Sequence, residues 1–115
     1  MKKSFCKNNN IIIYNTIRRL GLRPNHRGTI LIVKAVQLIN NNSEIIKIKD
    51  IYRNISENNK NFTPEQIRIA IKYAIDHRNE KKSIENFKEI FGYDYDEEIF
   101  SNKDFLEEIA RVINY

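Results

Sequence analysis

Only one cysteine, Cys6, occurs among the 115 residues, so no intramolecular disulfide can form, and that usage suits a reducing compartment. Glycine and proline are also scarce, at three and two residues; with isoleucine abundant and charged residues at 30%, this favours an all-α domain. No run approaches the roughly 18 apolar residues needed to span a bilayer. The start M-K-K-S-F-C-K-N-N-N is basic, but the apolar stretch of a signal peptide does not follow it. A cytoplasmic protein with no membrane partner is expected. Nothing repeats at the period of a solenoid. No Ser/Cys–His–acid constellation, phosphate-cradling glycine loop or pair of catalytic carboxylates is present, so an enzyme is not expected. His26 and His77 lie far apart without Cys or carboxylate neighbours at ligand spacing. The acidic run Asp94-Tyr95-Asp96-Glu97-Glu98 lacks the pattern of a calcium loop. Neither a metal nor any other cofactor is expected.

The length allows one domain with a real core. Its net charge of +5 hides an asymmetry. Residues 1–88 hold 18 Lys+Arg against 7 Asp+Glu, +11, whereas residues 89–115 hold 2 against 8, −6. A basic body suits a polyanionic partner, although solvated helix faces would account for it equally well.

The best-specified stretch covers residues 63–79, T-P-E-Q-I-R-I-A-I-K-Y-A-I-D-H-R-N. Thr63 can cap a helix, Pro64 suits its first position, and Gln66 completes a capping box. Ile67, Ala70, Ile71, Ala74 and Ile75 follow the spacing of a core-facing stripe. At about 100° per residue the other face carries Glu65, Ile69, Lys72 and Asp76, flanked by Gln66, Arg68 and Tyr73. A helical segment and a polar turn precede it, which is the order of a helix-turn-helix.

Taken from the start, residues 1–10 read as a mobile basic tail and residues 11–115 as the domain. Ile12, Ile13, Thr16, Ile17 and Leu20 form a helical stripe stopped by Gly21. A polar, basic loop runs from Leu22 to Gly28. Residues 29–40 are apolar nearly all round; β-branched content permits a strand, but length favours a buried central helix. Residues 40–43 form a turn, residues 45–48 are ambiguous, and residues 50–57 read as a short helix with Ile51, Tyr52 and Ile55 inward. Asn58 to Asn61 make the turn before Phe62. Residues 80–82 read as an exposed connection to a helix capped by Ser83, holding Ile84, Phe87, Ile90 and Phe91 and closed by Gly92. An acidic loop follows, then a last helix from Ser101 or Asn102 with Phe105, Leu106, Ile109, Val112 and Ile113 inward.

Several of these pieces together resemble the C-terminal effector domain of the sporulation master regulator of endospore-forming Firmicutes, stage-zero sporulation protein A. The resemblance covers about residues 13–113. I-R-R-L-G-L-R-P-N-H-R-G (residues 17–28) is similar to the family's opening helix and its loop between two glycines. I-Y-R-N-I-S (residues 51–56) is similar to its first helix-turn-helix segment, usually L-Y-P-D-I-A. T-P-E-Q-I-R-I-A-I-K-Y-A-I-D (residues 63–76) matches its recognition helix, and F-G-Y (residues 91–93) is a family hallmark. S-N-K-D-F-L-E-E-I-A (residues 101–110) corresponds to its last helix.

The resemblance implies a six-helix domain that binds the major groove of double-stranded DNA, two copies sitting head-to-tail on repeated sites. The family's phosphorylation-controlled receiver domain is expected to be absent from a chain of this length. Departures fall where the family reads bases: its arginine before the helix's first apolar residue is Gln66 here, and its Glu-Arg pair is Arg68-Ile69. Its target sequence is therefore not carried over. The turn is one residue longer, and the acidic Asp94–Glu98 loop replaces a more basic segment. Gln66 and Arg68 can pair with adenine and guanine, and Ile69 can meet a thymine methyl. Lys72 and Tyr73 suit phosphate or sugar. Thr63 and Glu65 belong to the same helix start. Arg23, Arg27, Lys60, Arg78, Lys81 and Lys82 are candidates for phosphate contact. The expected function is a sequence-specific DNA-binding transcription regulator, a possible homodimer that meets the transcription machinery. The alternative is an interaction module, or truncated antagonist, that uses Ile69 or the acidic segment to bind a regulator or RNA polymerase.

Overall fold

In a computed structural model, residues 2–41 and 47–113 are described, with side chains from residue 10 onward. The described residues form six α-helices and no strand: α1 (Lys2–Arg19), α2 (Arg27–Asn41), α3 (Ile48–Asn58), α4 (Pro64–Asp76), α5 (Glu80–Phe91) and α6 (Asn102–Ile113). A 3-10 turn, Glu97–Phe100, precedes α6. The all-α expectation holds. Helix α2 takes the centre and packs against α4, α6, α3 and α1. Leu31, Ile32, Val33, Ala35 and Val36 are buried along it. A helix that is apolar nearly all round needs neighbours on most sides, and the bundle supplies them, so the strand alternative falls away.

Several boundaries differ from the expected ones. Helix α1 reaches back to Lys2, through residues expected as a tail; no glycine or proline interrupts that run. Asn40 and Asn41 belong to α2, and α3 begins at Ile48. The rest of the turn expected at 40–43, and residues 45 and 46 of the ambiguous segment, lie outside the described residues. Helix α5 starts at Glu80, not Ser83, because Asn79 is the cap and its side chain accepts from the Lys82 amide. Ser83 is instead fully buried one turn in, donating to the Leu20 carbonyl and accepting from Arg78 Nε. Ile12 and Ile84, both expected inward, are exposed. Each lies on the edge of a stripe whose buried members, Ile13, Ile17 and Leu20 in α1 and Phe87 and Phe91 in α5, already fill the core.

The two glycines of the first loop hold α4 in place. Gly21 closes α1 at φ +99°, with the Gly21 and Leu22 amides donating to the Arg18 and Ile17 carbonyls at 2.9 and 3.1 Å, a Schellman stop. Its carbonyl accepts from the Asn79 amide at 2.9 Å, so the α1–α2 turn is bonded to the α4–α5 turn. Gly28 lies against the middle of α4: a Cβ there would overlap the Ala70 carbonyl oxygen and sit 2.7 Å from the Ala74 Cβ. The seven-residue spacing of these glycines places one at the end of α4 and one at its centre.

The F-G-Y segment joins α5 to α6. Phe91 is buried, Gly92 ends α5 at φ +90°, and Tyr93 donates its hydroxyl to Glu108 Oε1 at 2.8 Å. Burial and the bond to Glu108 push the Tyr93 phenol up to about 12. The folded state therefore holds this proton more tightly than the unfolded chain does. The associated stability is present below about pH 10 and is lost as pH rises through about 12. In a phenolate absorbance titration, Tyr93→Phe is expected to remove the latest component and to flatten the alkaline loss of stability. A wild-type curve in which all tyrosines titrate together near pH 10 would refute it.

Candidate nucleic-acid interface

Helix α3, residues 59–63 and helix α4 form the helix-turn-helix. The turn is held by two bonds, Phe62 N–H to the Asn59 carbonyl at 3.1 Å and Ser56 Oγ to the Phe62 carbonyl at 2.6 Å. Arg27, at the start of α2, lays its guanidinium 5.1 Å from the half-buried Phe62 ring. Helix α4 then opens with the complete capping box: Thr63 Oγ1 accepts from the Gln66 amide at 3.1 Å, and Gln66 Oε1 accepts from the Thr63 amide at 2.9 Å. Such caps contribute about 1 kcal/mol. The helix ends at Asp76, one turn short of the expected stretch, with His77 as its cap.

The inward stripe is as expected, with Ile67, Ile71, Ala74 and Ile75 buried and Ala70 half-buried. Glu65, Gln66, Arg68, Ile69, Lys72 and Tyr73 are all exposed on the other side. Their freedom differs. Arg68 makes a two-pronged pair with Glu65, Nε to Oε1 at 3.0 Å and Nη2 to Oε2 at 2.6 Å. That bond holds the Glu65 carboxyl below its usual value. Its second guanidinium edge, Nη1 with the outer hydrogen of Nη2, remains open. Gln66 accepts the Thr63 amide with its carbonyl oxygen and keeps its NH2 group for an outside acceptor. Lys72 pairs with Asp76 at 3.3 Å, an exposed contact worth little.

Ring stacking fixes Tyr73. It lies between His26, with centroids 5.2 Å apart, and His77, at 3.7 Å. His26 Nδ1 accepts from the Gly28 amide, and His77 Nδ1 meets the Tyr73 carbonyl, so both imidazoles are oriented by backbone. The half-exposed Ile69 is one wall of a groove of about 640 Å³ between the helix-turn-helix and the α1–α2 loop, with Asn25, Arg27, Asn61, Gln66 and Tyr73 also lining it. Asn102, at the start of α6, donates to both Tyr52 Oη and the Arg68 carbonyl at 3.0 Å, tying α4 to its neighbours beneath this face. From the sequence Asn102 reads only as a possible helix start; an amide at that place is too common to reveal the bridge.

Five of the six proposed cations, Arg23, Arg27, Lys60, Lys81 and Lys82, are exposed around α4. Arg78 is not. Its side chain is 5% exposed and points inward, bonded to Ser83 Oγ, the Ile75 carbonyl and the Tyr95 hydroxyl, paired with Glu97 at 3.2 Å, and stacked 3.6 Å over Phe100. The acidic loop supplies its counter-charge, with the Glu97 carboxyl held low by Tyr95 and Arg78. Phosphate contact by Arg78 is corrected to a structural role, because every donor edge is already taken inside the fold.

No helix among the described residues is long and apolar enough to cross a membrane. Residues 13–113 match the family model described as "Sporulation initiation factor Spo0A C terminal". No curated protein and no solved structure matches the chain.

Proposed function

Because the chain belongs to the family of the C-terminal domain of the sporulation initiation factor Spo0A, a family of DNA-binding domains rather than of enzymes, we propose that it is a cytoplasmic transcription regulator that lays α4 in the major groove of duplex DNA. One observation carries this reading: the outward face of a capped α4 presents an ordered guanidinium edge at Arg68 beside Gln66 and Ile69, exposed among the described residues. Glu65 occupies one edge of Arg68, and the other suits the O6 and N7 acceptors of guanine. Gln66 offers its NH2 to a base acceptor while one lone pair of its carbonyl oxygen stays in the capping box. Ile69 faces a thymine methyl. Lys72, Tyr73, Lys60 and Arg27 position the backbone. Two copies on adjacent sites, and a contact with the transcription machinery, extend the same reading.

The exposure of Ile69, at 52%, also favours a second reading, an interaction module that meets a regulator or polymerase through this groove. Selection on random duplex pools at two salt concentrations separates the two. An enriched motif with salt-sensitive binding supports the regulator; binding without either supports the module. Arg68→Ala is expected to relax one position of the motif, at a cost of about 1–3 kcal/mol for the preferred base. A uniform loss over all sequences would remove Arg68 from the base-reading set.

A further inference from the structure

Beyond the C-terminal end of α4 lies a surface that base reading does not use. The bond between the Asn79 amide and the Gly21 carbonyl sets the last turn of α1 beside the first turn of α5. Between them runs a groove of about 520 Å³ lined by Asn15, Arg18, Arg19, Lys82, Glu85 and Asn86. Asn86 steadies it by donating to the Arg19 carbonyl at 2.8 Å, and Arg19 pairs with Glu89 at 2.9 Å. Arg18 and Lys82 make no ion pair among the described residues, even with Glu85 in the same groove. Lys81 precedes Lys82 on the same turn, and Arg23 stands beside His26, Tyr73 and His77, which links the groove back to α4. On the acidic side the pattern is reversed: Lys88, Lys103 and Arg111 each meet a carboxylate, Asp94, Glu107 and Glu108. Cations gathered without partners repel one another in the free protein, a cost that a polyanion offsets.

We propose that Arg18, Lys82 and Arg23 form a second phosphate-contact surface, which grips the DNA backbone flanking the segment read by α4. The duplex then runs from the helix-turn-helix turn across the α1–α2 loop and over the α1–α5 groove, with the acidic α6 side turned away. These contacts carry no base information. The inference rests on α4 reading DNA.

Binding of the wild type and of the double variant Arg18→Ala/Lys82→Ala to a selected duplex, measured across a salt series, tests it. Each lost phosphate contact flattens the slope of log K against log salt by about 0.9. The double variant is therefore expected to lose roughly 1.8 of slope while selecting the same motif, and Lys103→Ala to match the wild type. Thermal melts check that both variants fold. Shortening the duplex on the side beyond the α4 C-terminus should abolish the difference between wild type and double variant. Equal slopes, or an altered motif, would overturn the proposal while leaving the reading of α4 intact. A wild type without salt-sensitive duplex binding would overturn both.

Discussion

Replacing Gly28 with alanine is expected to destabilise the domain by about 2–3 kcal/mol and to lower its melting temperature by roughly 10 °C. One methyl group does this because of where it would go. The new Cβ would overlap the Ala70 carbonyl oxygen and crowd the Ala74 Cβ at 2.7 Å. Ala70 is in the middle of α4, so that oxygen is helix backbone and cannot rotate aside as a flexible side chain would. Either α4 moves away from α2, or α2 unwinds its first turn and gives up the His26–Gly28 bond. Both answers disturb the Tyr73 stack, since His26 is one of its members. DNA affinity should therefore fall together with stability. Thermal melts decide the point: a melting temperature within a degree or two of the wild type would mean that α2 and α4 do not approach this closely.

Arg78→Ala is expected to cost about 3 kcal/mol, at the lower end for a broken buried pair because Glu97 keeps access to water. The loss is distributed. Ser83 Oγ and the Ile75 carbonyl lose a donor where water has little access, Tyr95 loses a partner, and Phe100 loses the cation stacked 3.6 Å over its ring. Arg78→Lys should rescue little, since an ammonium cannot serve the diverging partners of a planar fork. The same variants separate a structural arginine from a phosphate-binding one. A phosphate contact at this position would flatten the salt dependence by about 0.9 while sparing the melt. An inward arginine lowers the melt and leaves the salt slope of the folded fraction unchanged. Unaltered stability with a flatter slope would return Arg78 to the DNA face.

These two residues mark how much was legible in the chain. Helix α4 was, because its signals are local: Thr63, Pro64 and Gln66 lie within four residues, and the stripe from Ile67 to Ile75 repeats within three turns. The F-G-Y stop and the apolar α2 were legible for the same reason, and the ordered fragments identified the family that residues 13–113 match. Ser83 misled because a serine near a helix start resembles a cap until a carbonyl 63 residues away claims its hydroxyl. Ile12 and Ile84 misled because a stripe's edge residues have the right period whether or not a neighbour reaches them.

By itself the sequence determined the middle of each of α1, α3, α4, α5 and α6, which face of α4 is apolar, and which family the chain belongs to. Caps, stops and periodic stripes are read over a few residues and need no partner from elsewhere. Tertiary structure decided how the charges without a partner one helical turn away are used. Arg78 turned inward because Glu97, 19 residues on, and Phe100 fold under it. Arg18 and Lys82 were left to solvent because α1 and α5 meet at their basic ends. Pairing is a matter of distance in space, and a one-dimensional count of charge has no information about that distance.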